Sequence, residues 1–123
     1  MRTVTETLEE LSRPVDPRHV RQLRKGATTL DYLPWYTVAK HLTHRCPGWQ
    51  WVVRSVQELG GSIVVHGSLY VPTSEGRLRF DAVASEPVKG GSQAPPAEVA
   101  ESAAVRRAAA KSGLALDLYD TTQ

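Results

Sequence analysis

Between Trp49 and Ala84 the chain reads WQWVVRSVQELGGSIVVHGSLYVPTSEGRLRFDAVA. The period of this stretch is two. Trp49, Trp51 and Val53 alternate with Gln50, Val52 and Arg54, and after Gly60 and Gly61 a second run sets Ile63, Val65, Gly67, Leu69 and Val71 on one face. A Gly-Gly pair between alternating runs marks a hairpin, because a two-residue turn of the primed type needs positive φ at its centre. A third run, Leu78, Phe80, Ala82 and Ala84, follows the turn Thr73 to Gly76. Three such runs in succession predict an antiparallel meander.

On its N-terminal side, TVTETLEELS from residue 3 to 12 has Val4, Leu8 and Leu11 at helical spacing and is closed by Pro14 and Pro17. His19 to Lys25 reads as one further turn, and Leu30 to Leu33 as a short extended piece. Pro34 opens a helix over 34–45, with Trp35, Val38, Ala39 and Leu42 as its apolar face and Pro47 and Gly48 as its stop. On the C-terminal side, Gly90 to Pro96 is a loop, and Pro95 or Pro96 starts an alanine-rich helix to about Ser112. Gly113 supplies its left-handed cap with Leu114 as the accompanying apolar contact, and the tail packs through Leu116, Leu118 or Tyr119. The order is helix, helix, three strands, helix: an α+β fold with a β-β-β-α core and one sheet face covered. Such a sheet leaves two unpaired edges, so association of copies is expected.

With 123 residues, 41% hydrophobic and 23% charged, the chain suits one globular domain over 1–123, with 1–29 as an N-terminal helix and basic segment. No run approaches the roughly 18 to 20 apolar residues of a membrane span, the N-terminus lacks the apolar core of a signal peptide, and the single Cys46 fits a reducing compartment. A cytoplasmic location is expected, with no membrane partner. Net charge is only +2, but its distribution is uneven: Glu6, Glu9 and Glu10 make the start acidic, whereas Arg13, Arg18, Arg21, Arg24 and Lys25 face the single acid Asp16. A basic run of this kind is an electrostatic footprint for nucleic acid or simply a solvated face.

Chemistry that depends on a built catalytic centre finds little support. His41, His44 and Cys46 lie close together, but a structural zinc site wants four ligands and no second pair follows. Cys46 and His44 at a helix end are poorly placed as nucleophile and base, and Asp31, Glu58, Asp81 and Glu86 form no recognisable carboxylate pair. No phosphate-binding loop of the G-x-x-x-x-G-K-[ST] type occurs. No enzyme, metal or cofactor is expected. Gly90 and Gly91 before a helix could hold a phosphate on free N–H groups. Arg106, Arg107 and Lys111 line the last helix, Arg107 and Lys111 sharing a face, either as a solvated surface balanced by Glu98 and Glu101 or as a contact surface.

The order of these pieces resembles the single-strand annealing family of eukaryotic Rad fifty-two and the bacterial DNA-damage-response protein DdrA. The resemblance lies in LDYLPWYTVAKHLTHRCPGWQWVV from Leu30 to Val53, in the strands ending RLRFDAVASEP, and in AEVAESAAVRRAAAKSGLALDLYD from Ala97 to Asp120. It spans about residues 30 to 120 and implies a homo-oligomeric ring or filament built through sheet edges. It also implies ATP-independent binding and annealing of single-stranded DNA in recombinational repair, in a nucleoid-associated protein of a bacterium or phage. The family's basic positions fall on Arg106 and Arg107, and less securely on Arg21, Arg24 and Lys25. Two further basic positions fall on Thr37 and Ala110, where Lys40 and Lys111 compensate in part. The short tail argues against a mediator role and leaves any single-strand binding protein or recombinase partner open. Trp35, Tyr36, Trp49 and Trp51 could stack on bases, the strand tryptophans being better suited to the core. Two other readings remain: a self-assembling protein that protects DNA ends without annealing, and a protein-interaction domain.

Overall fold

A capping box starts the chain's first helix. In the computed structural model, which describes residues 1–89 and 94–119, Thr3 Oγ1 accepts from Glu6 N while the Glu6 carboxylate accepts from Thr3 N, and helix α1 follows as Val4–Leu11. Its inward face is Val4, Thr7 and Leu11, with Leu8 exposed rather than buried. After a single 3-10 turn, Pro17–His19, the chain forms strands β1 (Arg21–Lys25) and β2 (Thr28–Tyr32), paired antiparallel from Arg21↔Tyr32 to Lys25↔Thr28. This hairpin corrects the expectation of a helical turn over 19–25. Its turn is Gly26 and Ala27, with Gly26 at φ +61°, the conformation that a primed turn needs at its first central residue. Helix α2 spans Trp35–Arg45 and buries Val38, Leu42 and Arg45. Trp35, expected on that face, stands half-exposed at the first turn.

The meander forms as its period requires. Strands β3 (Gln50–Leu59), β4 (Ser62–Thr73) and β5 (Gly76–Pro87) lie in the order β3-β4-β5, all antiparallel. Gly60 and Gly61, at φ +56° and +80°, make the tight turn between β3 and β4. The alternation of β3 breaks at a bulge between Val53 and Ser55, which leaves Arg54 outside the register and Val53 exposed.

Helix α3 (Pro96–Lys111) covers β4 and β5. Ala100, Ala104 and Ala108 are fully buried at four-residue spacing against Val65, Ala82 and Ala84, so small residues on both sides bring helix and sheet close together. The helix ends in a Schellman motif: Gly113 N donates to Ala110 O and Leu114 N to Ala109 O, with Leu114 1% exposed in the core. A last 3-10 turn, Leu116–Tyr119, packs through Leu118 while Leu116 and Tyr119 stay exposed. Leu11, Leu33, Val38, Leu42, Leu69, Val71, Val105, Ala109 and Leu114 form the main core between the three α-helices and the larger sheet. Residues 90 to 93, the expected phosphate loop with Gly90 and Gly91 included, lie outside the described residues. The described architecture is α+β with a two-stranded and a three-stranded antiparallel sheet.

Candidate nucleic-acid interface

Local pairing divides the basic segment of the sequence. Arg13 is tied to Glu10 at 3.0 Å and Arg18 to Asp16 at 2.7 Å, and the Arg18 guanidinium with its own backbone N–H holds the Asp16 carboxyl down to about 2. Within this segment, the arginines without a carboxylate partner among the described residues are those on the hairpin, Arg21 and Arg24, which donate to backbone carbonyls. Lys25 closes β1 opposite Thr28.

Antiparallel register puts directly opposed residues on one face, so Arg21 and Tyr32 share a face of the hairpin with Leu23 and Leu30, both exposed. Arg106 reaches this face from α3, its guanidinium carbon 5.4 Å from the centroid of the Tyr32 ring. Tyr32, Arg106 and Tyr119 rim a shallow depression lined at depth by Leu33, Val38 and Leu114. Close by in sequence, at the start of α2, Trp35 and Tyr36 form an edge-to-face pair 6.0 Å apart and are each about half exposed. The strand tryptophans are spent on the core: Trp49 Nε1 donates to Thr43 Oγ1 and Trp51 Nε1 to Glu101 Oε2, both at 3.0 Å.

The basic residues expected to act together on α3 point apart. Arg106 meets Tyr32, whereas Arg107 and Lys111 reach β5 and donate to the carbonyls of Val83 and Asp81 at 2.9 and 2.7 Å. Lys40 is exposed on α2. The structure therefore sets Arg106 over the Tyr32 ring and Arg21 opposite Tyr32 in the hairpin register, places Arg107 and Lys111 at a strand edge, and gathers the seven expected residues into no single cluster.

A further group of cations was not legible in the sequence. On the sheet face away from α3, the guanidinium carbons of Arg77, Arg54 and Arg79 lie 3.9, 5.5 and 5.8 Å from the Tyr70 ring centroid. Beside them Asp81 accepts from Arg79, from Ser68 at 2.7 Å, and contacts His66 Nε2 at 3.0 Å, while Arg54 donates to Ser68. The Arg79 guanidinium first, then the Ser68 hydroxyl and His66, holds the Asp81 carboxyl far below the usual carboxylate range. Because the folded value is depressed, this network's contribution to stability is complete above the ordinary value of 3.8 and is lost as pH falls below it. Carbon-detected NMR titration is expected to show Asp81 still ionised at a pH where the unfolded chain's aspartates are half protonated. A midpoint near 3.8 would mean that the network does not form in solution.

Burial of the Cys46 thiol raises its pKa and burial of the His41 ring lowers that of the imidazole. Among the described residues no three His, Cys, Asp or Glu side chains are grouped to hold a metal ion, and no helix is long and apolar enough to cross a membrane.

No protein-family profile matches the chain. Two plant proteins are similar to it. DNA repair RAD52-like protein 1, mitochondrial, of Arabidopsis thaliana is 27% identical over 120 residues, a match that covers 96% of this chain and 68% of that protein. DNA repair RAD52-like protein 2, chloroplastic, of the same plant is 29% identical over 123 residues and is matched along 61% of its length. These names give no support to a bacterial or phage origin, and they bear only on the Rad fifty-two side of the resemblance. Over nearly its whole length, the chain is thus similar to RAD52-like DNA repair proteins.

Proposed function

We propose that this chain is a non-enzymatic DNA-repair protein that binds single-stranded DNA and anneals complementary strands without nucleotide hydrolysis, working as a homo-oligomer. The observation that carries the reading is Arg106 over Tyr32 with Arg21 across the same hairpin face, neither arginine paired to a carboxylate among the described residues. Guanidinium groups placed this way neutralise phosphates and release condensed counterions. An exposed aromatic pair at Trp35 and Tyr36 gives bases a face to stack on whatever their sequence. Two strands that repel each other in solution then meet with their charge partly cancelled, and base pairing completes the reaction. The similarity to DNA-repair proteins supports the pathway, and the edges of β3 and β5, which pair with no further strand among the described residues, support assembly.

Fluorescence anisotropy with labelled oligonucleotides at several salt concentrations tests this. Single strands are expected to bind more tightly than duplex, with little sequence preference and with affinity falling as salt rises. Arg106→Ala is expected to make the salt slope shallower by about one unit, because one phosphate fewer is neutralised. Equal affinity for duplex, or a flat salt response, would sink the reading. Strand-annealing kinetics on the same samples separate annealing from protection of DNA ends.

A further inference from the structure

The face of the larger sheet turned away from α3 gathers charge around one ring. Tyr70 lies on the central strand, only 6% exposed, and the register sets it between Gln50 of β3 and Arg79 of β5. What covers it is guanidinium. Arg77, opposite Pro72 and one row along the same face, brings its guanidinium carbon to 3.9 Å from the ring centroid. Arg54 arrives by another route. Val53 and Ser55 pair with the adjacent residues Gly67 and His66, so Arg54 is the extra residue of the β3 bulge. A bulge re-aims the side chain it carries, and here Arg54 Nε donates to Ser68 Oγ with its guanidinium carbon 5.5 Å from the Tyr70 centroid.

These arginines are unequally neutralised. Arg79 spends Nε and Nη2 on the two oxygens of Asp81, a bidentate fork at 2.8 and 3.0 Å. Arg54 gives only its Nε, to a neutral hydroxyl, and Arg77 has neither a hydrogen bond nor a carboxylate partner among the described residues. Three arginines against one aspartate leave an excess of two positive charges on this face, and Arg54 and Arg77, which carry it, are exposed. Like charges held around one ring repel each other, and an anion that fills the free forks relieves that repulsion.

We propose that Arg54 and Arg77 form a binding site for linked phosphate groups across Tyr70, separate from the hairpin and Arg106. The ring supports the Arg77 guanidinium by a cation–π contact and leaves its N–H edge to a ligand, while Arg54 keeps both Nη groups free. A carboxylate fills one fork, as Asp81 does for Arg79. Linked phosphates offer an oxygen pair to each of two forks, and the exposed Gln50 adds an amide donor beside them. Tyr70 is itself covered, so the site holds phosphate and not a base. A nucleic-acid backbone and a free oligophosphate share this chemistry. The site does not depend on the nucleic-acid reading above.

Arginine-detected NMR of the unaltered chain, titrated with inorganic pyrophosphate at constant ionic strength, tests it. The Nε–Hε signals of Arg54 and Arg77 are expected to shift along one saturating curve, ahead of those of Arg21 and Arg106. All four moving together without saturation would reduce the site to a diffuse ionic atmosphere and overturn it. By calorimetry, Arg77→Gln is expected to weaken pyrophosphate binding about tenfold, the cost of losing a charge-assisted contact. Arg77→Lys, which keeps the charge and loses the fork, is expected to fall between the two. An Arg77→Gln variant that binds pyrophosphate as the unaltered chain does overturns the assignment. So does a hexaglutamate peptide that displaces pyrophosphate at equal concentration, which would make the face a site for acidic protein segments. Anisotropy with a single-stranded oligothymidylate separates the two phosphate sources. A salt slope shallower by about one unit in Arg77→Gln identifies a nucleic-acid backbone as the ligand, and an unchanged slope beside lost pyrophosphate affinity identifies a free oligophosphate. A chain that binds pyrophosphate and no oligonucleotide keeps this site and loses the nucleic-acid reading.

Discussion

Arg45→Ala is expected to lower the stability of the folded chain by about 3 kcal/mol, the cost of leaving the buried Leu11 carbonyl and its partly buried neighbours without this donor. Arg45 occupies the last turn of α2, is only 6% exposed, and aims its guanidinium at the place where α1 ends. Its Nη1 donates to Leu11 O at 3.0 Å and Arg13 O at 2.8 Å and more weakly to Glu10 O, while Nη2 donates to Pro14 O at 3.3 Å. A helix leaves its final carbonyls unpaired, and α1 cannot continue through Pro14 to satisfy them. One planar fork thus terminates α1 and joins it to α2. Arg45→Lys keeps the charge but offers one ammonium in place of a fork, so an intermediate loss is expected. Arg45→Met keeps much of the stem volume and isolates the donors, and its loss should approach that of alanine. Urea unfolding checks the series. A loss below about 1 kcal/mol for Arg45→Ala, the range of a surface substitution, would mean that water serves these carbonyls equally well. Arg106→Ala serves as the contrast, because its guanidinium is expected to affect DNA affinity with little effect on stability.

The same arginine shows where a sequence reading stops. A basic residue in the last turn of a helix normally reads as solvated and favourable to the helix dipole. Its burial here depends on a helix terminus more than thirty positions earlier, which no local pattern reveals. The meander was legible because β4 and β5 alternate cleanly and Gly60 and Gly61 can only be a turn. The α3 boundaries were legible because Pro96 and Gly113 mark them chemically. The β1–β2 hairpin was not, since Leu23 and Leu30 are exposed and no buried face enforces an alternation among its polar neighbours. The exposure of Val53 was not legible, because the bulge after it carries no glycine or proline to announce it. Of the site, the residue types were legible and their grouping was not. Arg106 and Arg107 are adjacent in sequence and diverge by about 100° around a helix, so one meets Tyr32 and the other β5. The arginines around Tyr70 come from β3 and β5 and meet only once the register is set.

Gly67→Ala is expected to cost about 2 to 3 kcal/mol, in the range of an overpacked core, although the change is a single methyl group. Gly67 sits on the helix-facing side of the central strand, opposite Val53 and Ala82. A Cβ there would run into the six-membered ring of the Trp51 indole. That ring has little freedom to retreat. It packs against both core clusters, and its Nε1 donates to Glu101 on α3, so moving it breaks the bond that ties β3 to α3. The glycine is there for close approach and not for its backbone, which is ordinary strand. This distinguishes it from Gly60, whose φ of +56° strains any other residue. A double-mutant cycle isolates the contact. Trp51→Ala alone is expected to cost about 3 to 5 kcal/mol as a large-to-small change. In that background the space over residue 67 is empty, so adding Gly67→Ala should be nearly neutral, giving a coupling of about 2 kcal/mol between the two sites. Additive losses would show that alanine at 67 acts through the backbone of β4 and that the indole yields freely. With a strong coupling, the indole fixes the distance between α3 and the sheet, and that distance sets how far Arg107 and Lys111 can extend over the edge of β5.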